Sequence, residues 1–97
     1  MKFVIIEGDK MTSKAEAHAH IAEALEFPMY YGKNLDALAD CLSEVPRDMV
    51  VIIHNAEAAR EALGDYADSI FEVFSEISQE GGFMLAIGEP AEGEEIF

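Results

Sequence analysis

The chain has 97 residues, 51% of them hydrophobic and 9% aromatic, which is enough for one packed core and too little for two domains. Six Lys and Arg against twenty Asp and Glu leave a formal net charge of −14, a balance that repels nucleic acid and anionic membranes and attracts a cationic protein or a metal ion, or simply keeps the protein soluble. The single cysteine, Cys41, excludes an internal disulfide and fits a reducing compartment. The apolar run after Lys2 is too short for a signal peptide and no stretch approaches the roughly 18 apolar residues of a membrane span, so the chain reads as unexported and cytoplasmic.

Phe3 to Ile6 form an apolar run closed by Glu7-Gly8-Asp9, the pattern of a strand buried on both faces. From Ser13 the spacing becomes helical. His18, Ile21, Ala22 and Leu25 share a face, and Ser13 with Glu16 has the form of a capping box. Pro28 ends this helix, because the residue before a proline is pushed out of helical geometry. The loop "PMYYGKN" leads to Asn34, a good N-cap for a second helix from Leu35 to about Glu44. "MVVII", residues 49 to 53, is a second buried strand. Asn55 then caps a short Ala-rich helix that Gly64 ends.

Tyr66, Ile70, Val73, Phe74 and Ile77 recur at helical spacing, so residues 66 to 80 form a long helix stopped by Gly81-Gly82. "FMLAI", residues 83 to 87, is a third apolar strand. Residues 1 to 88 thus make one domain, and residues 89 to 97 an acidic, mobile tail. Three apolar strands separated by helical stretches predict an α/β fold, a small three-stranded parallel sheet flanked by four helices. Helices on both faces are the natural way to bury such strands, and strand order is open.

The second helix carries the most informative pattern. Leu35, Leu38 and Leu42 fall on one face, while Asp36, Asp40 and Glu44 run i, i+4, i+8 along the opposite one. Each like-charged pair costs an isolated helix about 0.2 to 0.5 kcal/mol. Asp36 lies in the first turn, where the helix dipole favours an acid. Asp40 lies beyond that turn, and no Lys or Arg stands three or four residues away to neutralise it. A solvated acidic face is the simpler reading of the spacing alone. The neighbours Tyr30, Tyr31, Gly32 and Asn34 argue for more, because apolar anchors beside charge are what binding hot spots combine, with one of the two tyrosines expected in the core. Glu72, Glu76 and Glu80 repeat the spacing on the long helix, and side-by-side packing would merge the two stripes into one negative patch.

Other chemistry-bearing residues carry less. His18 and His20 diverge on their helix and lack the i, i+4 spacing of a helical metal pair, so His18 reads as packing and no metal site is expected. His54 ends the second strand, where α/β proteins often place functional groups, but without an evident partner it reads as structural. Cys41 adjoins the leucine face as a small hydrophobe. No nucleophile elbow, phosphate-binding loop or dinucleotide fingerprint is present, and no cofactor or catalytic residue is expected.

The stretch "FPMYYGKNLDALADCL" resembles the signature of the barstar family, intracellular protein inhibitors of ribonucleases such as barnase. "SIFEVFSEISQEGGF" is similar to the family's last helix and its exit into the final strand, and with "VIIEG" the resemblance spans residues 1 to about 88. It implies the same three-stranded parallel sheet with four helices. It also implies a partner-binding surface in which Asp40 replaces the substrate phosphate in a cationic nuclease site, beside Asp36, Tyr30, Gly32, Asn34, Glu76 and the more peripheral Glu80. Two positions depart from the pattern: Ala39 and Val45 stand where the family has tryptophan, and the chain has none. The expected partner is a basic protein, a secreted or toxic ribonuclease, met by a monomer. The alternative is the same scaffold reused as an interaction or regulatory module without a nuclease. A catalytic carboxylate pair is disfavoured because Asp36 and Asp40 look similarly exposed.

Overall fold

A computed structural model describes residues 2–29 and 31–88. Strand β1 (Lys2–Glu7) leads through a 3-10 turn (Gly8–Lys10) into helix α1 (Lys14–Leu25), followed by α2 (Leu35–Leu42), β2 (Met49–His54), α3 (Ala56–Leu63), α4 (Asp65–Gln79) and β3 (Met84–Ile87). The strands are parallel in the order β1-β2-β3. Each crossover is therefore a pair of helices joining neighbouring strands, and the expected α/β class with a three-stranded parallel sheet and four helices is what forms. Among the described residues no helix is long and apolar enough to cross a membrane.

Local signals place the helix starts. The Ser13 hydroxyl accepts from the Glu16 amide at 3.1 Å, as the capping box requires. Asn34 does the same for α2. Asn55 departs from expectation: it stands at the start of α3 with φ of 58° and makes no side-chain cap. Its amide instead reaches Glu7 Oε1 at 3.3 Å, across the ends of β1 and β2. The exit of β1 passes close to it, since a Cβ at Gly8 would run into the Asn55 carbonyl, which only glycine avoids. The second helix ends at Leu42, leaving Glu44 in the turn beyond it.

Among the described residues the sheet is covered on one face only, which corrects the expectation of strands buried on both. Ile6, Val51 and Ile53 are at most 1% exposed and pack with Ile21, Leu38, Ile70, Phe74 and Phe83 in the core. Register puts Phe3, Val50 and Met84 on the other face, with Ile5, Ile52 and Ala86 one step along. There Phe3 is 65% exposed, Ile5 54% and Met84 45%. A short apolar run looks the same whether its second face is buried or bare, so the sequence pattern could not separate the two cases.

One buried polar residue ties the layers to the loop before α2. His18 on α1 is 1% exposed. Its Nδ1 lies 2.6 Å from the Tyr31 hydroxyl and its Nε2 2.8 Å from that of Tyr66 on α4. A neutral imidazole has one donor and one acceptor, and two hydroxyls satisfy both. Tyr31, itself buried, also packs on Phe27 with ring centroids 5.0 Å apart. Burial first and the Lys33 charge second push the His18 pKa below its ordinary 6.5. Burial, followed by Cys41 and Tyr66, holds the Tyr31 hydroxyl well above its usual range, so it stays protonated. His18 was expected to pack; that it also joins three elements by hydrogen bonds is what the sequence did not indicate.

Two measurements follow. Urea unfolding of Ile6→Ala should show a loss of about 2 to 5 kcal/mol, the cost of a core cavity. Ile5→Thr, on the bare face, should stay within about 0.5 kcal/mol, and comparable losses would mean that this face is covered. The second concerns pH. Because the folded His18 pKa lies below the unfolded one, the unfolded chain binds the extra proton. The stability it contributes is complete above pH 6.5 and declines as pH falls from there through the folded value. His18→Gln should flatten this part of the stability-pH curve, and an unchanged slope would remove His18 as its source.

Candidate functional site

The candidate surface is built on α2 and its entry loop. Eight residues are too few for a helix to persist alone in water. Two things hold it. The Asn34 side chain accepts from the Ala37 amide at 2.8 Å while its Nδ2 donates to the Gly32 carbonyl at 3.3 Å, linking the cap to the loop. Leu38 and Leu42 are fully buried and fasten the opposite face to the core. At the far end the Ser43 hydroxyl donates to the Asp40 carbonyl at 2.7 Å.

Asp36 and Asp40 project from the exposed side of this helix, and Glu44 continues the line in the following turn. Asp36 lies in the first turn, near the positive end of the helix dipole. Among the described residues, no Lys, Arg or His comes within ion-pair distance of Asp36, Asp40 or Glu44. The ion pairs there are Arg60 with Glu57 and Asp68, and His54 with Glu7. The mutual repulsion of the α2 acids is thus not relieved within the described part of the protein, and Asp40, beyond the first turn, has no counter-ion among the described residues.

The remaining candidates fall around this helix. Helix α4 packs against α2. Glu76 is exposed on α4, and Glu80 is exposed at its C-terminal cap; neither has an ion-pair partner among the described residues. Gly32 and Asn34 are exposed in the entry loop, and Lys33 between them has φ of 56°, a left-handed turn that gives the loop a defined shape. Ala39 is half-buried on α2. Tyr30 lies outside the described residues. Its neighbour Tyr31 is the core tyrosine of the pair, fixed by His18 and Phe27.

Cys41 is half-buried. Burial, then the charges of Glu44 and Asp40, push its thiol pKa up, so thiolate is scarce and a nucleophilic role has no support there. A second polar group was missed by the sequence reading. Glu7 and His54 end β1 and β2 at the same register position, and His54 Nδ1 lies 3.3 Å from Glu7 Oε1. Aligning the two apolar runs end to end would have paired them. His20 likewise has a structural partner, accepting from the Glu7 amide at 2.9 Å.

Residues 1–90 match the family described as Barstar (barnase inhibitor). The chain is also 38% identical over 81 residues to a Bacillus subtilis (strain 168) protein named "Putative ribonuclease inhibitor YrdF", an overlap covering 82% of this chain and 89% of that protein. The match extends over both crossovers and all three strands, and the capped acidic helix stands at its centre. The chain belongs to the barstar family.

Proposed function

We propose that this protein inhibits a ribonuclease by occupying its cationic active site with the acidic face of α2 and the loop before it. The observation that carries this reading is Asp40: an exposed carboxylate on a rigidly anchored helix, in line with Asp36, with no counter-ion among the described residues. A phosphodiester-cleaving enzyme must present basic groups to its substrate. Carboxylates one helical turn apart can meet those groups with charge-assisted hydrogen bonds, as a phosphate would. Asp40 takes the phosphate's place, Asp36 and Glu76 flank it, Glu80 adds charge at the edge, and Tyr30, Gly32, Asn34 and Ala39 complete the contact. The family's description as barnase inhibitor and the name of the Bacillus relative support the target class.

The charge separation between the partners speeds encounter more than it strengthens the final complex. In this reading the protein acts as a cytoplasmic monomer and residues 1–88 suffice. A second reading has a specific observation behind it. The chain lacks tryptophan altogether, and Ala39 and Val45 offer little surface where aromatic contact would help. The scaffold could then serve a basic protein partner that is not a nuclease, with the same acids engaged.

The test compares wild type with Asp40→Ala as inhibitors of barnase and of a panel of basic secreted ribonucleases, at low and high salt. Wild type should inhibit at least one enzyme, more weakly as salt rises, and Asp40→Ala should bind at least about tenfold less tightly, the loss of one charge-assisted contact. Inhibition that is indifferent to Asp40 would remove its assigned role. No inhibition of any enzyme, with salt-sensitive capture of a basic non-nuclease, would select the second reading.

A further inference from the structure

Beside the acidic face of α2 lies a groove of about 340 Å³ between the end of α1 and the end of α2, opening toward the start of β2. Its apolar wall comes from Leu25, Phe27, Val45 and Met49, all partly buried against the core. Carboxylate residues stand around it: Asp40 and Glu44 from α2 and its exit turn, and Glu26 from the end of α1. Glu26 caps α1 in the left-handed conformation, at φ of 58°. Among the described residues no Lys, Arg or His lines the groove.

This combination selects its guest. An anionic group would be repelled by the acids on both sides. A purely apolar side chain would fill the floor but leave the carboxylates without partners. A long basic side chain satisfies both parts, laying its methylene stem on the apolar wall and keeping its charged head at the rim with the acids. The volume is at the lower end for ligand pockets, which run from roughly 300 to 1,000 Å³, and suits one side chain better than a larger molecule.

We propose that this groove receives an arginine or lysine side chain of the protein partner, with its stem against Val45 and Met49 and its head between Asp40, Glu44 and Glu26. The inference rests on the reading of α2 as a protein-docking surface and adds a second contact to it. Asp40 belongs to both, so the partner needs two basic groups, one meeting the outward face of α2 and one entering the groove beside it. The half-buried Val45 then has a role as the wall for an aliphatic stem, in place of aromatic stacking.

The test needs no nuclease, so its failure and a failed inhibition assay are separate results. The labelled protein, residues 1–97, is titrated with n-butylguanidinium, guanidinium and butan-1-ol at millimolar concentrations, following backbone amide shifts by NMR. Butylguanidinium should give saturable shifts centred on Cys41, Val45 and Met49, with an apparent affinity at least about fivefold above that of guanidinium or butanol, since it alone combines stem and charge. Glu44→Gln and Asp40→Asn, both exposed positions, should each weaken it by about twofold or more. Equal affinity for the three probes, shifts centred elsewhere, or indifference to both substitutions would overturn the proposal.

Discussion

The burial of Leu38 and Leu42 beneath an eight-residue helix is what keeps Asp36 and Asp40 aligned in water, and most of what this surface can do depends on it. Left to itself such a short helix would fray, and like charges one turn apart would hasten the fraying. Two leucines in the core supply the opposing free energy, of order 1.5 to 3 kcal/mol each by transfer, against a repulsion of a few tenths of a kcal/mol. Packing therefore wins by a wide margin, and the helix can carry a charge pattern unfavourable to its own isolated stability. Asn34 adds the cap that fixes where the helix begins, and so which residues face outward.

The same logic extends to the loop in front. A loop that contributes to binding loses less conformational entropy if it is already shaped. Here Tyr31 is drawn into the core and held at 2.6 Å by His18, the Asn34 amide holds the Gly32 carbonyl, and Lys33 takes a left-handed turn between them. His18 is thus a fold residue with consequences for the site. It couples α1, α4 and the loop through a neutral imidazole in a buried position, an arrangement in which protonation is opposed by burial rather than relieved by a neighbouring acid.

Charge is distributed unevenly over the molecule. Arg60 is drawn into contacts at the α3–α4 end, and His54 pairs with Glu7 at the carboxyl ends of the strands. The acids of α2 and the groove beside them have no such compensation among the described residues. With a net charge of −14, the whole protein reinforces the local field, which favours a cationic partner at long range while the helix and groove set the contacts at short range. The bare apolar face of the sheet, with Phe3, Ile5 and Met84 exposed, lies on the side away from the core.

Much of this was legible in the chain itself. Periodicity and punctuation determined the order of strands and helices, because apolar spacing, a serine cap, Asn34 and the paired glycines act over a few residues. The alignment of Asp36 with Asp40 follows from helix geometry alone, and so does the absence of a nearby helical cation. Contacts far apart in sequence were not legible. His18 meets Tyr66 across 48 positions and Glu7 meets His54 across 47; no local signal encodes such meetings, and Asn55 was drawn away from its expected cap by one of them. Only tertiary structure decided that one sheet face stays bare among the described residues and that α1 and α2 leave a groove between their ends. Burial and cavities arise from how elements stack, and an apolar residue does not carry in its identity what will, or will not, be placed against it.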